Sequence, residues 1–257
     1  MLLTIDAGNT TVMHGVYKDQ TLLGSWRLLS STPRTSDEWG MTISVQAGRM
    51  GWSPEDITGI IVSSVVPEIN QALEEMCRNY LDVTPMFVGP ELDLGLEIKY
   101  TDPRQVGADR ICGAVAGRAR YGYPLIIIDF GTATTFDVVD GNGDYFGGVI
   151  APGIAGASSI LHHGTAKLPQ VELRFPGQVI GQDTDSSIQS GIMYGELATL
   201  EGLIPRIREE LGAPAPVVAT GGQSILLQGR TELIQHFDRD LVLAGLQILY
   251  ERNRGVR

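Results

Sequence analysis

Short apolar runs separated by tight turns open the chain. Residues 2–5 are apolar, and residues 11–17 and 21–27 follow with the composition of strands. Residues 18–20, Lys-Asp-Gln, form the turn between the second and third runs. Three strands joined by such turns predict an antiparallel meander at the start of the chain.

Helical spacing of apolar positions follows the meander. Residues 35–50 begin with a hydroxyl and two acids and end before a glycine, which predicts a capped helix. Residues 53–56, Ser-Pro-Glu-Asp, predict a second helix start with proline in the first turn. Residues 60–62 predict a buried strand, and residues 69–76 return to helical spacing. A further helix is predicted from about residue 106 to residue 119.

The second half repeats this alternation of strands and helices. Its predicted elements are strands at 125–128, 134–139, 145–150 and 217–219 and helices at 187–211 and 241–252, with an Asp-Gly-Asn-Gly hairpin turn at 140–143. Alternation of strands and helices along the whole chain predicts an α/β fold.

One long-period repeat decides the predicted architecture. The segment LLTIDAGNTT from Leu2 and the segment LIIIDFGTAT from Leu125 superpose with a shift of 123 residues. Asp6 then matches Asp129, and Thr11 matches Thr134. Each copy predicts a strand, an Asp-x-Gly turn and a second strand, which indicates two similar domains facing each other across a cleft. The predicted boundary gives domains 1–118 and 119–257.

Composition narrows the classes of partner. The chain carries 30 Asp and Glu against 19 Lys and Arg, a formal net charge of −11, and has three lysines. This balance excludes a nucleic-acid partner and an anionic membrane surface, because both require clustered basic residues. No apolar run approaches the roughly 20 residues of a membrane span, and the N-terminus lacks the basic start of a signal peptide. A cytoplasmic protein with two buried thiols, Cys77 and Cys112, is therefore expected.

The paired Asp-x-Gly turns are the strongest sign of chemistry. Glycine lets a backbone turn tightly and approach a ligand, so exposed amides can donate hydrogen bonds to phosphate oxygens. The hydroxyls of Thr10, Thr11, Thr132 and Thr134 are expected to donate in the same way. An aspartate at a strand end suits a magnesium ion that keeps most of its water. Residues 220–222, Thr-Gly-Gly, follow a late strand and suit a platform for adenosine.

These elements together resemble a known superfamily. The two turns and the late Thr-Gly-Gly are similar to the phosphate and adenosine elements of actin, heat-shock ATPases and sugar kinases, and no P-loop motif is present. Within that superfamily the chain resembles type III pantothenate kinases over essentially its whole length. The segments that carry the resemblance are DAGNT from Asp6, GADR from Gly107, DFGTATT from Asp129, GGVIAPG from Gly147 and TGG from Thr220. One departure is Asp183 before Thr184, where that family often has asparagine.

The resemblance implies a fold of two actin-like (ribonuclease H-like) domains, with mixed sheets flanking a nucleotide cleft. It also implies ATP-dependent phosphorylation of the primary hydroxyl of pantothenate, in a homodimer whose partner subunit helps to close the substrate site. Asp109 would be the catalytic base, Asp6 would orient Mg²⁺ through water, and Asp129 would hold K⁺ or NH₄⁺. The implied pantothenate contacts are Tyr100, Gly107, Ala108, Asp109, Arg110 and Thr184. The implied ATP contacts are Asp6, Ala7, Gly8, Asn9, Thr10, Thr11, Val12, Met13 and Thr132.

Other interpretations of the same residues stay open from the sequence. A nucleotide-binding regulator on the same fold would need no acceptor site, and a kinase for another hydroxy acid would also use Arg110. Asp109 and Arg110 are also compatible with an ordinary ion pair on a helix surface, and Tyr100 with an aromatic at the edge of the core. The GADR segment beside a complete nucleotide set favours the kinase.

Overall fold

The computed structural model describes residues 1–30 and 32–255. Its strands are β1 (Leu2–Ala7), β2 (Thr11–Lys18), β3 (Thr21–Leu29), β4 (Gly59–Ser64), β5 (Met86–Phe87), β6 (Leu125–Phe130), β7 (Ala133–Val139), β8 (Tyr145–Pro152), β9 (Val217–Thr220) and β10 (His236–Phe237). Its α-helices are α1 (Ser36–Met50), α2 (Pro67–Leu81), α3 (Ala108–Tyr121), α4 (Ile154–His163), α5 (Thr184–Leu211) and α6 (Leu241–Asn253). None of the described helices is long and apolar enough to cross a membrane.

Two compact units divide the chain. The first contains residues 1–116 and 241–257, and the second contains residues 117–240. Each has a five-stranded mixed sheet, in the order β3-β2-β1-β4-β5 in the first and β10-β9-β6-β7-β8 in the second. In both, three antiparallel strands are extended by two parallel ones. The predicted α/β class and the predicted internal repeat are confirmed.

The last helix belongs to a different unit from the one predicted. Helix α6 packs on β1, β2 and β4, so it completes the first unit rather than the domain predicted at 119–257. Leu241, Leu243, Leu246 and Leu249 have no exposed surface, which explains why the helix needs a sheet to cover it. The predicted boundary after residue 118 lies two residues from the observed division after residue 116, inside α3.

Local signals account for the helix ends, with one exception. Thr35 caps α1 in a reciprocal capping box with Glu38, and Gly51 ends the helix at φ +73°. The helix predicted from Ser53 is wrong, because only a single 3₁₀ turn forms at Pro54–Asp56. The start signal is real, since Ser53 and Asp56 form a capping box, but Gly59 already begins β4.

The two hairpins repeat closely but not identically. Strands β1 and β6 share one burial pattern, with the aspartate as the only half-buried position in each. In the first hairpin Ala7 pairs with Val12, and in the second Phe130 pairs with Thr134. The second turn is therefore one residue shorter, so Thr134 occupies the place of Val12. The predicted match of Thr11 with Thr134 is wrong by one residue.

Candidate active site

The first hairpin turn presents an exposed tip above a buried pair of strands. The N–H of Gly8 donates to the carbonyl of Thr11 at 3.1 Å, which closes the turn and leaves Asn9 and Thr10 exposed. The N–H of Ser30 donates to the carbonyl of Thr10 at 3.0 Å and fixes the tip from β3's end. Asp6, half-buried at the end of β1, lies at the base of this turn.

The predicted phosphate segment 6–13 divides into two kinds of residue. Ala7 and Val12 have no exposed surface, so they support the turn and offer no atom to a ligand in this conformation. Thr11 and Met13 are half-buried and alternate with these buried neighbours along β2. The residues of this segment that present surface are therefore Asp6, Gly8, Asn9, Thr10, Thr11 and Met13.

In the GADR segment, the side chain of Asp109 lies against Gly107. Residue 107 precedes α3, and its carbonyl accepts the N–H of Ile111 at 3.1 Å as the helix begins. The Asp109 Oδ1 atom accepts the N–H of Arg110 at 2.8 Å. A methyl group at residue 107 would lie 2.5 Å from that same Oδ1 atom, so only glycine leaves room for this carboxylate orientation.

Electrostatics at Asp109 suit a proton acceptor. Burial raises the pKa of the Asp109 carboxyl above its ordinary value, while the N–H and the positive charge of Arg110 oppose the rise. A carboxylate with a raised pKa accepts a proton more readily than a solvated one. The interpretation of Asp109 and Arg110 as an ordinary surface ion pair does not fit a half-buried carboxylate bonded to backbone.

The loop before GADR is tied to the last helix. Asn253 is 5% exposed; its amide Nδ2 donates to the Asp93 carbonyl at 3.1 Å, and its Oδ1 accepts the Asp93 N–H at 2.9 Å. Arg252 pairs with the Asp93 carboxylate at 2.9 Å. Tyr100 follows this anchored segment and is half-buried, which agrees both with a substrate contact and with a residue at the edge of the core.

In the second unit, three glycine-containing segments meet at the end of β6. The N–H of Gly131 donates to the Ala133 carbonyl at 3.0 Å, leaving Thr132 exposed at the tip. A methyl group at residue 153 would lie 2.5 Å from the Thr132 carbonyl oxygen and 2.7 Å from that of Gly131. The Pro-Gly end of the GGVIAPG segment therefore packs directly on the DFGT turn.

The Thr-Gly-Gly segment makes the third contact. Gly221 has φ +86°, and a methyl group there would overlap Asp129 Oδ1 and lie 2.7 Å from the backbone N and O of Phe130. The N–H of Gln223 donates to the Phe130 carbonyl at 3.1 Å. The Asp129 carboxylate therefore lies close to the Gly221 position, beside the backbone of Phe130.

The Thr134 hydroxyl is not the phosphate donor that was predicted. It has no exposed surface, and its hydroxyl donates to Glu196 Oε1 at 2.9 Å, so it is not available to a phosphate. Burial raises the pKa of Glu196, which is 7% exposed on α5. Glu196 belongs to none of the predicted motifs, although it lies at helical spacing from the buried Met193 and Leu200. An acid in phase with core positions is the signal that identifies it.

The substrate residue predicted on α5 lies at the helix start. Thr184 is the first residue of α5 and is exposed beside an open groove of about 620 Å³, whose apolar walls are Leu161, Leu168 and Ile188. Asp183 caps the helix: its carboxylate accepts the N–H of Ser186 at 2.7 Å, which lowers the pKa of Asp183. Asp183 therefore caps the helix, a function that an asparagine at this position would also perform.

Comparison with known proteins gives a family match over most of the chain. The family model of type III pantothenate kinases matches residues 2–206. This chain belongs to that family. The type III pantothenate kinase of Halalkalibacterium halodurans is 46% identical over 253 residues, which cover 98% of this chain and 100% of the relative.

Solved structures support the fold of this type III pantothenate kinase family member. A Baf family protein from Campylobacter jejuni superposes with a TM-score of 0.62 at 19% identity, covering 98% of this chain and 99% of that one. The activator of the 2-hydroxyisocaproyl-CoA dehydratase from Clostridium difficile, solved with ADPNP, gives 0.54 at 12% identity over 99% and 96% of the two chains. At these identities the likeness concerns the fold alone.

Proposed function

We propose that this protein transfers the γ-phosphoryl group of ATP to the primary hydroxyl of pantothenate, the first step toward coenzyme A. The observation that carries the proposal is the Asp109 carboxylate, folded over Gly107 at the start of α3 in a chain of this family. A regulator that only binds nucleotide has no use for a half-buried carboxylate with a raised pKa.

In the proposed reaction, the substrate hydroxyl oxygen forms the new P–O bond and the bond from the γ-phosphorus to the β–γ bridging oxygen breaks, which releases ADP. Asp109 accepts the hydroxyl proton. Phosphoryl transfer depends more on positioning and charge stabilisation than on a strong base, so a carboxylate suffices. The raised pKa of Asp109 brings its proton affinity closer to that required near neutral pH.

Acceptor recognition is assigned to side chains around the same helix start. We propose that Arg110 pairs with the pantothenate carboxylate through its planar fork, and that Tyr100 packs on the apolar body of the substrate. Gly107 and Ala108 let the backbone approach the substrate closely. Thr184 contributes a hydroxyl, supported by its exposure beside the apolar groove.

Phosphate binding is assigned to the two hairpin turns. In the first unit, backbone amides and hydroxyls of Gly8, Asn9, Thr10 and Thr11 donate to phosphate oxygens; in the second, Thr132 does so. Asp6 would hold Mg²⁺ through water, and the ion would neutralise phosphate charge. Among the described residues no cluster of three or more His, Cys, Asp or Glu side chains forms a metal cage. A single carboxylate suits a magnesium ion that is bound chiefly by phosphates and water.

Asp129 is the proposed ligand of a monovalent cation. The support is the half-buried Asp129 carboxylate at the end of β6, where the Thr-Gly-Gly segment packs closely on the DFGT turn, since hard cations prefer oxygen ligands. Potassium and ammonium have similar radii, so a site of this kind accepts either.

A kinase assay tests the proposed function. The purified protein, with ATP and Mg²⁺, is offered pantothenate and a panel of other small hydroxy acids, in potassium, ammonium or sodium buffer. We expect ADP formation that depends on pantothenate and on potassium or ammonium. Faster turnover of another hydroxy acid would contradict the substrate assignment. ATP binding without transfer to any acceptor would favour a regulator, and equal turnover in sodium would contradict the cation assignment.

We also propose a homodimer in the cytoplasm. Four large apolar side chains of the second unit support the dimer, because a partner subunit that covered them would remove apolar surface from water. They are 61–82% exposed: Ile150, Ile160, Val179 and Ile180. Cys77 and Cys112 are buried and form no disulfide, which agrees with a reducing compartment. Sedimentation at assay concentration is expected to give twice the monomer mass of 27.7 kDa. A fully active monomer would contradict the dimer.

A further inference from the structure

Helix α6 and helix α3 touch through their backbones. A methyl group at Gly245 would overlap the carbonyl oxygen of Cys112 and lie 2.5 Å from its carbonyl carbon and 2.8 Å from its Cα. All three atoms are backbone, so no side-chain rotation makes room. Packed helices are normally held 8–10 Å apart by their side chains, and glycine permits the closest approach.

The point of contact lies one turn from the proposed base. Cys112 follows Asp109 by three residues on α3, so both project from the same side of the helix. Burial raises the pKa of the Cys112 thiol, and the charges of Asp6 and Asp109 add to the rise. Cys112 therefore connects the helix contact to the turn that carries Asp109.

Both helices are buried where they touch, and residues 111–117 of α3 are all buried. The four leucines of α6 at 241, 243, 246 and 249 are fully buried, and Leu243 also packs against Gly15 of β2. By contrast, residues 107–110 at the start of α3 are all half-buried. An added methyl group at residue 245 would force α3 and α6 apart at Cys112, one turn from Asp109.

We propose that Gly245 is a positioning residue for phosphoryl transfer, because it lets α6 hold α3 at the distance that places Asp109. The inference rests on the proposed function of Asp109. A displacement of about 1 Å at a reacting group costs on the order of 100-fold in rate. Residue 245 lies more than 130 positions from Asp109 in the chain.

The test compares two glycine-to-alanine substitutions. Gly245→Ala is the test variant, and Gly113→Ala is its matched control, since both lie inside helices and a methyl group at residue 113 meets no atom within 4 Å. Both changes add the same helix propensity. We expect Gly245→Ala to lower kcat for pantothenate phosphorylation about 10- to 100-fold with the ATP dissociation constant within twofold of wild type. Gly113→Ala is expected to retain wild-type kcat.

A third variant separates positioning from simple destabilisation. Leu246→Ala removes fully buried side-chain volume from α6 without pushing on α3, so it is expected to lower the unfolding temperature and keep kcat per folded molecule. Rates are normalised to the folded fraction, which saturating ATP increases by mass action. A kcat for Gly245→Ala equal to that of either control would overturn the proposal. Failure of Gly245→Ala to fold even in saturating ATP would also overturn it, since the glycine would then serve the fold as a whole.

Failure of the inference is distinguishable from failure of the proposed function. Wild-type protein that phosphorylates pantothenate beside an equally active Gly245→Ala would remove only the inference. Inactive wild-type protein would remove the function. In that case, amide hydrogen exchange of residues 108–112 still decides whether the methyl group displaces α3: faster exchange supports the contact, and unchanged exchange contradicts it.

Discussion

Replacing Asp109 with asparagine is expected to lower kcat for pantothenate by about 10²- to 10⁴-fold, the usual loss when a general base is removed. The amide keeps the shape of the side chain and its Oδ1 acceptor for the Arg110 N–H, so the loss isolates the proton-accepting role. Steady-state and single-turnover assays measure it. Glu74→Gln, an exposed carboxylate paired with Arg78 on α2, is the control and is expected to keep wild-type kcat.

The same substitution is expected to stabilise the protein. A raised pKa means that the folded state disfavours the ionised carboxylate relative to the unfolded state, so ionised Asp109 destabilises the fold at neutral pH. This cost is present above the folded pKa and absent below the unfolded pKa of about 4. Asp109→Asn should therefore raise the unfolding temperature at pH 7 to 8 and lose that advantage near pH 4. A lower unfolding temperature at neutral pH would show that the Arg110 interactions outweigh burial.

The pH profile of the wild type follows from the same shift. Activity requires the ionised base, so kcat/KM should fall as pH decreases through a midpoint above the ordinary aspartate value of about 4. Asp109→Asn should lose this acid limb from its residual activity. An unaltered limb in the variant would assign that titration to another group.

Gly221→Ala is expected to cause the second large loss, in nucleotide binding. An alanine at φ +86° is strained, and its methyl group would displace Asp129 and the backbone of Phe130. We expect the KM for ATP to rise at least about tenfold, equivalent to about 1.4 kcal/mol, and activation by potassium to weaken. Titration of ATP and of potassium chloride measures both effects.

Gly212→Ala is the matched control for this prediction. Gly212 also has a positive φ, +64°, at the end of α5, but a methyl group there meets no atom within 4 Å. Both variants should lose stability from backbone strain of about 1–3 kcal/mol. A KM for ATP that rises equally in both would mean that strain alone explains the effect, and that the contact with Asp129 does not.

Local sequence signals predicted most of the helices and strands, and the wrong predictions have physical causes. Thr35 and Gly51 set the ends of α1 because capping is decided within a few residues. The helix expected at Ser53 stopped after one turn because the next residues pair with β1. Helix α6 was predicted as a helix, but its burial alone does not say which sheet covers it.

In the candidate site, too, local motifs were predictable from the sequence and tertiary contacts were not. Asp6, Gly107, Asp109 and Asp129 belong to contiguous motifs, and such motifs are visible in one sequence. The one-residue error at Thr134 arose because the similarity of the two repeated segments does not show that their turns differ in length. Glu196 and Gly245 act through residues far away in the chain, so their roles depend on tertiary contacts that no local pattern encodes.

The return of α6 to the first unit has a consequence for biosynthesis. Strand β1 leaves the ribosome before the second unit is synthesised, and the helix that covers its sheet leaves after that unit. The second unit spans 124 residues, which take roughly 6–25 s to synthesise at about 5–20 residues per second. The second unit can fold in that interval, while the first exposes apolar sheet surface to the cellular milieu. Nascent chains of this protein should therefore bind chaperones through the incomplete first unit until α6 has been synthesised.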